Sequence, residues 1–259
     1  MIGDAFRAMG TTIDVRAADE DGVAATRRWF EEVEAEATRF RPTSALSDLN
    51  RSQLDSVEAP PLLARLLGAA WEVRTLTGGL VDPVVGGDVI RWGYDRSFPD
   101  LTEVAEPVPG TTDAWWSIDG TKVTRPPGTV LDLGGIAKGW TADRAVESGL
   151  AAIVSAGGDI RSDHLDSTVE VEDPNGDVVA EVRIGRGALA TSSIARRRWR
   201  AGHRQAHHLI DPRTGDPVVG PIVSATAVAA KATWAEGAAK ATLIHGVDGL
   251  DWASRQPWI

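Results

Sequence analysis

The residues best suited to chemistry in this 259-residue chain gather in LDLGGIAKGWTAD, residues 131–143. A glycine pair, Gly134-Gly135, behind an apolar run lets the backbone approach a ligand closely. Free amides at the start of a helix then form a cradle for an anion. Lys138 sits within that cradle, where an ammonium suits phosphate. It is one of only four lysines among 27 basic residues, with Lys122, Lys231 and Lys240. Asp132 can accept from a ribose hydroxyl or a ring N–H. The same pattern also describes a plain strand-to-helix turn with a surface lysine, and it is neither a GxxxxGK(S/T) phosphate loop nor a GxGxxG fingerprint.

Two further stretches carry reactive types. SAGGDI, residues 155–160, holds a second glycine pair. HHLIDPRTG, residues 207–215, holds His207 and His208, two of only five histidines. A histidine beside a phosphate cradle supplies general-base chemistry; Asp211-Pro212 followed by Thr214-Gly215 is equally a turn with its own local explanation. RRRWR, residues 196–200, places positive charge where it meets a phosphate, an acidic partner or only solvent. Ser192-Ser193 lacks the GxSxG elbow of a serine nucleophile.

Composition narrows the classes. The chain has no Cys, which excludes disulfides, thiolate metal sites and cysteine nucleophiles. Its formal charge of −10 argues against a nucleic-acid binder. No run of about 18 apolar residues exists to span a membrane. MIGDAFRAMG lacks the basic start and apolar stretch of a secretory signal, so the expected location is cytoplasmic, or peripheral to a membrane through a partner.

The elements that must position these residues follow from periodicity. Ile13 and Val15 alternate with polar neighbours in a strand opening at MGTT. Residues 22–40 place Val23, Trp29, Phe30, Val33, Ala37 and Phe40 at helical spacing. Pro42 and Ser44 mark an exit and a new start. Residues 61–77 form a second helix closed by Gly78-Gly79. LVDPVVGGDVIRWGYD reads as irregular but apolar, 97–112 as a surface loop, and WWSIDGTKVTRP as a hairpin around Asp119-Gly120. Val130, Leu131 and Leu133 give a short strand-like lead into GGIAKG, and 138–150 a helix. AAIVSAGGDIRSD is a buried strand with a glycine turn. STVEVEDP, VVAEVRIG, ALATSS, RRRWRAG, AHHLIDPRTG and SATAVAAKA add further β-like runs before a helix at 233–244. Strands and helices mix without regular βαβ alternation, which predicts α+β with largely antiparallel sheets and flanking helices, in one domain over 1–259.

Taken in order, MGTT, FRPTSALSDLN, TGGLVDPVVGG with RWGYD, LDLGGIAKGWTAD, AIVSAGGDI, LATSS, HHLIDPRTGDP and SATAVAAKATWAEGAAKA resemble the ApbE family of flavin transferases from Met9 to about residue 245. The resemblance implies a two-lobed α+β fold with FAD between the lobes. It implies an enzyme that cleaves FAD with the help of Mg²⁺ and attaches FMN through a phosphoester to a Thr or Ser of an acceptor protein, releasing AMP. FAD contacts then fall on Met9, Trp92-Gly93-Tyr94, Asp132, Lys138 and near Ile210, and His208 is the base acting on the acceptor hydroxyl. Trp92 and Tyr94 suit the flavin ring as an aromatic bed. Two other readings share FAD binding: a non-catalytic flavin carrier, and a pyrophosphatase yielding FMN and AMP.

One departure stands out. The family's C-terminal metal motif is an Asp followed four residues later by a Thr, where this chain has Glu236 and Lys240. Glu236 still suits a hard cation, together with the Gly135 carbonyl, whereas a protonated lysine cannot ligate. Lys240 then either stands in the cation's place or forms an ordinary helical pair with Glu236.

Overall fold

The computed structural model describes residues 1–96, 101, 104–105, 107, 114–195 and 197–259. Most of the loop expected at 97–112 lies outside the described residues, as does Arg196 of the arginine run.

The chain opens on an antiparallel pair, β1 (Ile2–Ala8) and β2 (Thr11–Ala17). Met9 and Gly10 make the turn between them with φ of +51° and +70°, the left-handed pair that matches the twist of a two-residue hairpin. Then come α1 (Glu20–Ala37), α2 (Ala45–Arg51), β3 (Ser56–Glu58), α3 (Pro61–Leu76) and α4 (Gly86–Arg91). The hairpin β4 (Ser117–Asp119) and β5 (Lys122–Thr124) precedes α5 (Ala137–Glu147). Strands follow: β6 (Ile153–Ala156), β7 (Asp159–Ser162), β8 (Thr168–Glu172), β9 (Val178–Arg183), β10 (Ala188–Ser193), β11 (Arg198–Ala201), β12 (Arg204–His207), β13 (Ile210–Asp211), β14 (Asp216–Pro217) and β15 (Ser224–Ala229). The chain ends on α6 (Ala232–His245) and α7 (Gly249–Ser254). The fold is mixed α+β with antiparallel sheets. No described helix is long and apolar enough to cross a membrane.

Two compact units divide these elements: Met1–Glu34, Ile136–Ser193 and Pro221–Ile259 form the first, Ala35–Gly135 and Ile194–Gly220 the second. In the first, six strands run in the order β1-β2-β6-β7-β10-β15, each antiparallel to its neighbours. Phe6, Ile13, Val15 and Val154 from the strands pack with Phe30 of α1 and Ala142 and Val146 of α5. Alanines of α6, Ala232 and Ala235, pack on Ala188, Ala190 and Ala229 of β10 and β15. Small side chains let this helix sit close to the sheet, and it is buried almost all round.

The start of α6 is fixed from another helix. The carboxylate of Asp143, on α5, accepts the N–H groups of Ala232 (2.7 Å) and Thr233 (2.9 Å) and the Thr233 hydroxyl (2.6 Å). It thereby satisfies helix donors that have no partner within the helix. Gly139 lies at the contact: a Cβ there would meet the Ala232 carbonyl at 2.9 Å, so only glycine lets the two helices approach this closely.

In the second unit, β3, β5 and β4 form a small antiparallel sheet. Ser44 caps α2 by accepting the Ser47 N–H at 3.0 Å. The lead-in expected as a strand at 130–133 pairs with no described strand. Asn50 takes the partner's role instead, its side-chain amide bonding both the N–H and the C=O of Leu131 at 2.9 Å. The segment read as irregular, LVDPVVGG, is a 3-10 turn (Pro83–Val85) running into α4. Asp82 organises it, accepting the Val84 N–H (3.1 Å), the Trp116 indole N–H (2.8 Å) and Arg74 (2.5 Å).

Candidate active site

The first unit builds a buried four-charge cluster around α6. Glu236 is 1% exposed. Its Oε1 lies 2.7 Å from the Lys138 ammonium and 2.9 Å from that of Lys240, and its Oε2 accepts the Gly139 N–H at 3.3 Å. Asp159, the first residue of β7 behind the Gly157-Gly158 turn, closes the cluster with its Oδ2 2.9 Å from Lys138. Burial alone would favour the neutral form of every member. For Lys138 the two carboxylates outweigh burial and raise its pKa, holding it charged. For Glu236 the two ammonium groups outweigh burial and lower its pKa. For Asp159 burial and the neighbouring Glu236 charge win, and its pKa is raised.

The expected metal ligand is therefore engaged. A Mg²⁺ at the usual ~2.1 Å from Glu236 Oε1 would lie within about 5 Å of both ammonium groups. At an effective dielectric of ~20 that repulsion is on the order of 7 kcal/mol from each. Mg²⁺ takes oxygen ligands, yet the groups nearest this carboxylate are N–H donors. Among the described residues no group of three or more His, Asp or Glu could hold a metal ion. The residues present do not fit the cation.

The second unit carries the aromatic and histidine candidates. Asp132 accepts the Gly134 N–H on Oδ1 at 2.6 Å and binds Arg39 through Oδ2. The Arg39 guanidinium lies 4.3 Å from the Phe40 ring centre and 4.9 Å from that of Tyr94. Tyr94 also packs 5.6 Å from Trp199, in a cluster with Trp92, Val89 and Ile210. Trp92 is 1% exposed, and its indole donates to the Gly215 carbonyl at 3.1 Å. It is therefore a core residue of this unit, and Tyr94, half-buried, is the more open ring. Gly93 has φ +97° and sits against Val104. Gly135 lies in the turn just before α5. Ile210 is buried and pairs with Pro217.

The two histidines differ. His207, at the end of β12, is buried; its Nε2 bonds the Val218 carbonyl at 2.8 Å and its Nδ1 accepts the Leu209 N–H at 3.3 Å. That pair of bonds needs the neutral ring with the proton on Nε2. Burial lowers its pKa in the same sense. His208 is half-buried in the short link between β12 and β13. In the arginine run, β11 alternates: Arg198 and Arg200 are exposed, while Trp199 is buried and donates to the Trp92 carbonyl at 2.7 Å.

Of the residues singled out from sequence, Lys138, Glu236 and Lys240 come together on the first unit, with Met9 half-buried at its β1–β2 turn. Trp92, Tyr94 and Ile210 share one cluster on the second. Sequence reasoning missed Asp159 and Arg39. Asp159 stood in view behind the SAGGDI glycines; nothing in the pattern around Arg39 marks it.

A family model described as the ApbE family matches residues 9–258. The chain belongs to the ApbE family. It is 30% identical to the FAD:protein FMN transferase of Rhodobacter capsulatus, over 97% of this chain and 52% of that one, and so spans about half that relative's length. It is 28% identical to the FAD:protein FMN transferase of Vibrio cholerae, over 92% of this chain and 79% of the relative. The solved ApbE protein of Thermotoga maritima is 26% identical and superposes with a TM-score of 0.83, covering 98% of this chain and 89% of that one.

Proposed function

We propose that this chain is an FAD:protein FMN transferase. The acceptor's Thr or Ser oxygen attacks the phosphorus of the FMN half of FAD. A new P–O bond forms, the bond to the bridging oxygen breaks, and AMP leaves with that oxygen. A hydroxyl is a weak nucleophile near neutral pH, so a base must take its proton. His208 has that role. The observation that supports this reading is the division of labour in HHLID: His207 is committed as a neutral ring to the backbone of its own unit, which leaves His208 as the histidine of the motif without that commitment.

The other chain groups bind and orient. Lys138 and Lys240 supply positive charge to diphosphate oxygens that gain charge as the bond breaks. Asp132 and Tyr94 contact the flavin half, with Met9, Gly93 and Ile210 shaping its surroundings. Trp92 belongs to the buried cluster against which Tyr94 packs.

The names of the relatives and the family match over 9–258 support this reading. The test is mass spectrometry of a Thr-containing acceptor protein incubated with this chain and FAD. A gain of one FMN with release of AMP is expected, and His208→Ala should slow it by about 10²–10⁴-fold. FMN and AMP released without a gain on any of several acceptors would make the protein a pyrophosphatase. FAD bound and recovered intact would make it a carrier.

A further inference from the structure

We propose, resting on the functional reading above for the identity of the anion, that this chain replaces a divalent cation with two of its own lysines and handles the FAD diphosphate without a metal.

The geometry that carries this is the crowding of one carboxylate. Both oxygens of Glu236 are occupied by positively polarised hydrogens: two ammonium groups on Oε1, at 2.7 and 2.9 Å, and a backbone amide on Oε2. Each of these groups is fixed by the fold. Lys138 is held from the other side by Asp159. Lys240 stands one turn along the same buried helix, and Gly139 is pressed against the start of that helix. A cation would have to displace both lysines to reach Oε1, and would meet the Gly139 amide at Oε2.

The same arrangement presents charge of the right sign to an anion. Two lysines and two acids make the cluster formally neutral. The lysine side chains keep 15% and 13% of their surface exposed, against 5% and 1% for Asp159 and Glu236. What the cluster leaves open to solvent is thus lysine side chain rather than carboxylate. Lys240 thus adds what a bound cation supplies, positive charge beside the phosphates, while remaining covalently part of the protein.

The test is calorimetry on the full chain with three titrants: MgCl₂ alone, FAD in EDTA, and FAD in Mg²⁺. The parent should give no heat with MgCl₂ and bind FAD equally well with and without the metal. Lys240→Thr, which exchanges the ammonium for a hydroxyl oxygen, should bind FAD about tenfold more weakly in EDTA and recover part of the loss in Mg²⁺. Melting curves run beside each titration separate this from a merely structural helix pair, which would lower the melting temperature and leave FAD affinity alone. The proposal is overturned if MgCl₂ binds the parent and Glu236→Gln abolishes that binding, if FAD affinity of the parent rises steeply with Mg²⁺, or if Lys240→Thr binds FAD as the parent does. The MgCl₂ titration on the parent needs no variant to fold. Failure of the transfer reading shows elsewhere, as an acceptor that gains no FMN while metal-independent FAD binding persists.

Discussion

Arg39 and Asp132 form an ion pair inside the second unit, with Arg39 side chain 6% and Asp132 16% exposed. The Asp132 carboxylate is thus already held by a cation from the start of the link between α1 and α2. The pair orients Asp132, and the guanidinium lies over Tyr94 and Phe40. Removing one member leaves a largely buried charge without its partner. Arg39→Met should cost about 3 kcal/mol in urea unfolding. Asp132→Asn should cost less, and the double variant less than the sum of the two. Strict additivity would show that the contact carries no coupling.

Two glycine-to-alanine changes should act in opposite directions. At Gly139 the new methyl would meet the backbone of Ala232 and Thr233 at 2.9 Å, and α5 must shift. A loss of about 1–3 kcal/mol is expected. At Gly68, exposed in α3, nothing lies within 4 Å of the added methyl. There the change should stabilise by about 0.5–1 kcal/mol, through a less flexible unfolded chain. Thermal melts of both variants against the parent decide the matter; equal effects would remove the close approach of α5 and α6 as the reason for Gly139.

Asp143 bears on the whole helix that carries Glu236 and Lys240. Asp143→Ala strips three hydrogen bonds from the start of α6 and takes the carboxylate away from Arg161, 3.3 Å distant and mostly buried. Unfolding should become easier by about 3–5 kcal/mol. Asp143→Asn retains one acceptor oxygen and should lie between the variant and the parent. An alanine variant as stable as the parent would show that α6 needs no cap from its neighbour.

His207 gives stability a pH dependence of known sign. Its pKa is lowered in the fold, chiefly by burial, so the folded ring stays neutral where the unfolded ring takes a proton. Below the unfolded value of about 6.5 the unfolded chain binds more protons than the folded one. This contribution to stability is present above that pH and lost as the pH falls, with a slope of at most about 1.4 kcal/mol per pH unit. Between pH 8 and 5 the urea midpoint of the parent should fall relative to that of His207→Gln; Asp159, whose raised pKa acts with the opposite sign, contributes equally to both. An unchanged slope in the variant would assign the titration to another group.

What was legible in the sequence was local. Helices at 61–77 and 233–244 followed from apolar spacing, and the Gly157-Gly158 turn from its glycines, because neighbouring residues decide these features. Lys138 was marked by rarity and by the glycines before it. Its partners were not visible: Asp159 sits across a strand turn and Glu236 on a helix 98 residues further along. Asn50 holding Leu131 in place of a strand has the same character, an interaction of distant side chain and backbone that no period encodes. β1 was missed because only Phe6 and Ala8 of its seven residues are buried.

The register of the six-stranded sheet also sets a timetable for assembly. Ile13 of β2 faces Ala156 of β6, and the chain between them includes the whole of Ala35–Gly135. During synthesis β2 therefore emerges with β1 as its sole strand neighbour, and its other edge waits until more than half the protein has left the ribosome. Pairings this distant in sequence form slowly and leave strand edges open meanwhile. Helix α6 arrives later still, so Lys138 and Asp159 are in place before the glutamate that completes the cluster, and an unfinished chain has no assembled cluster at all.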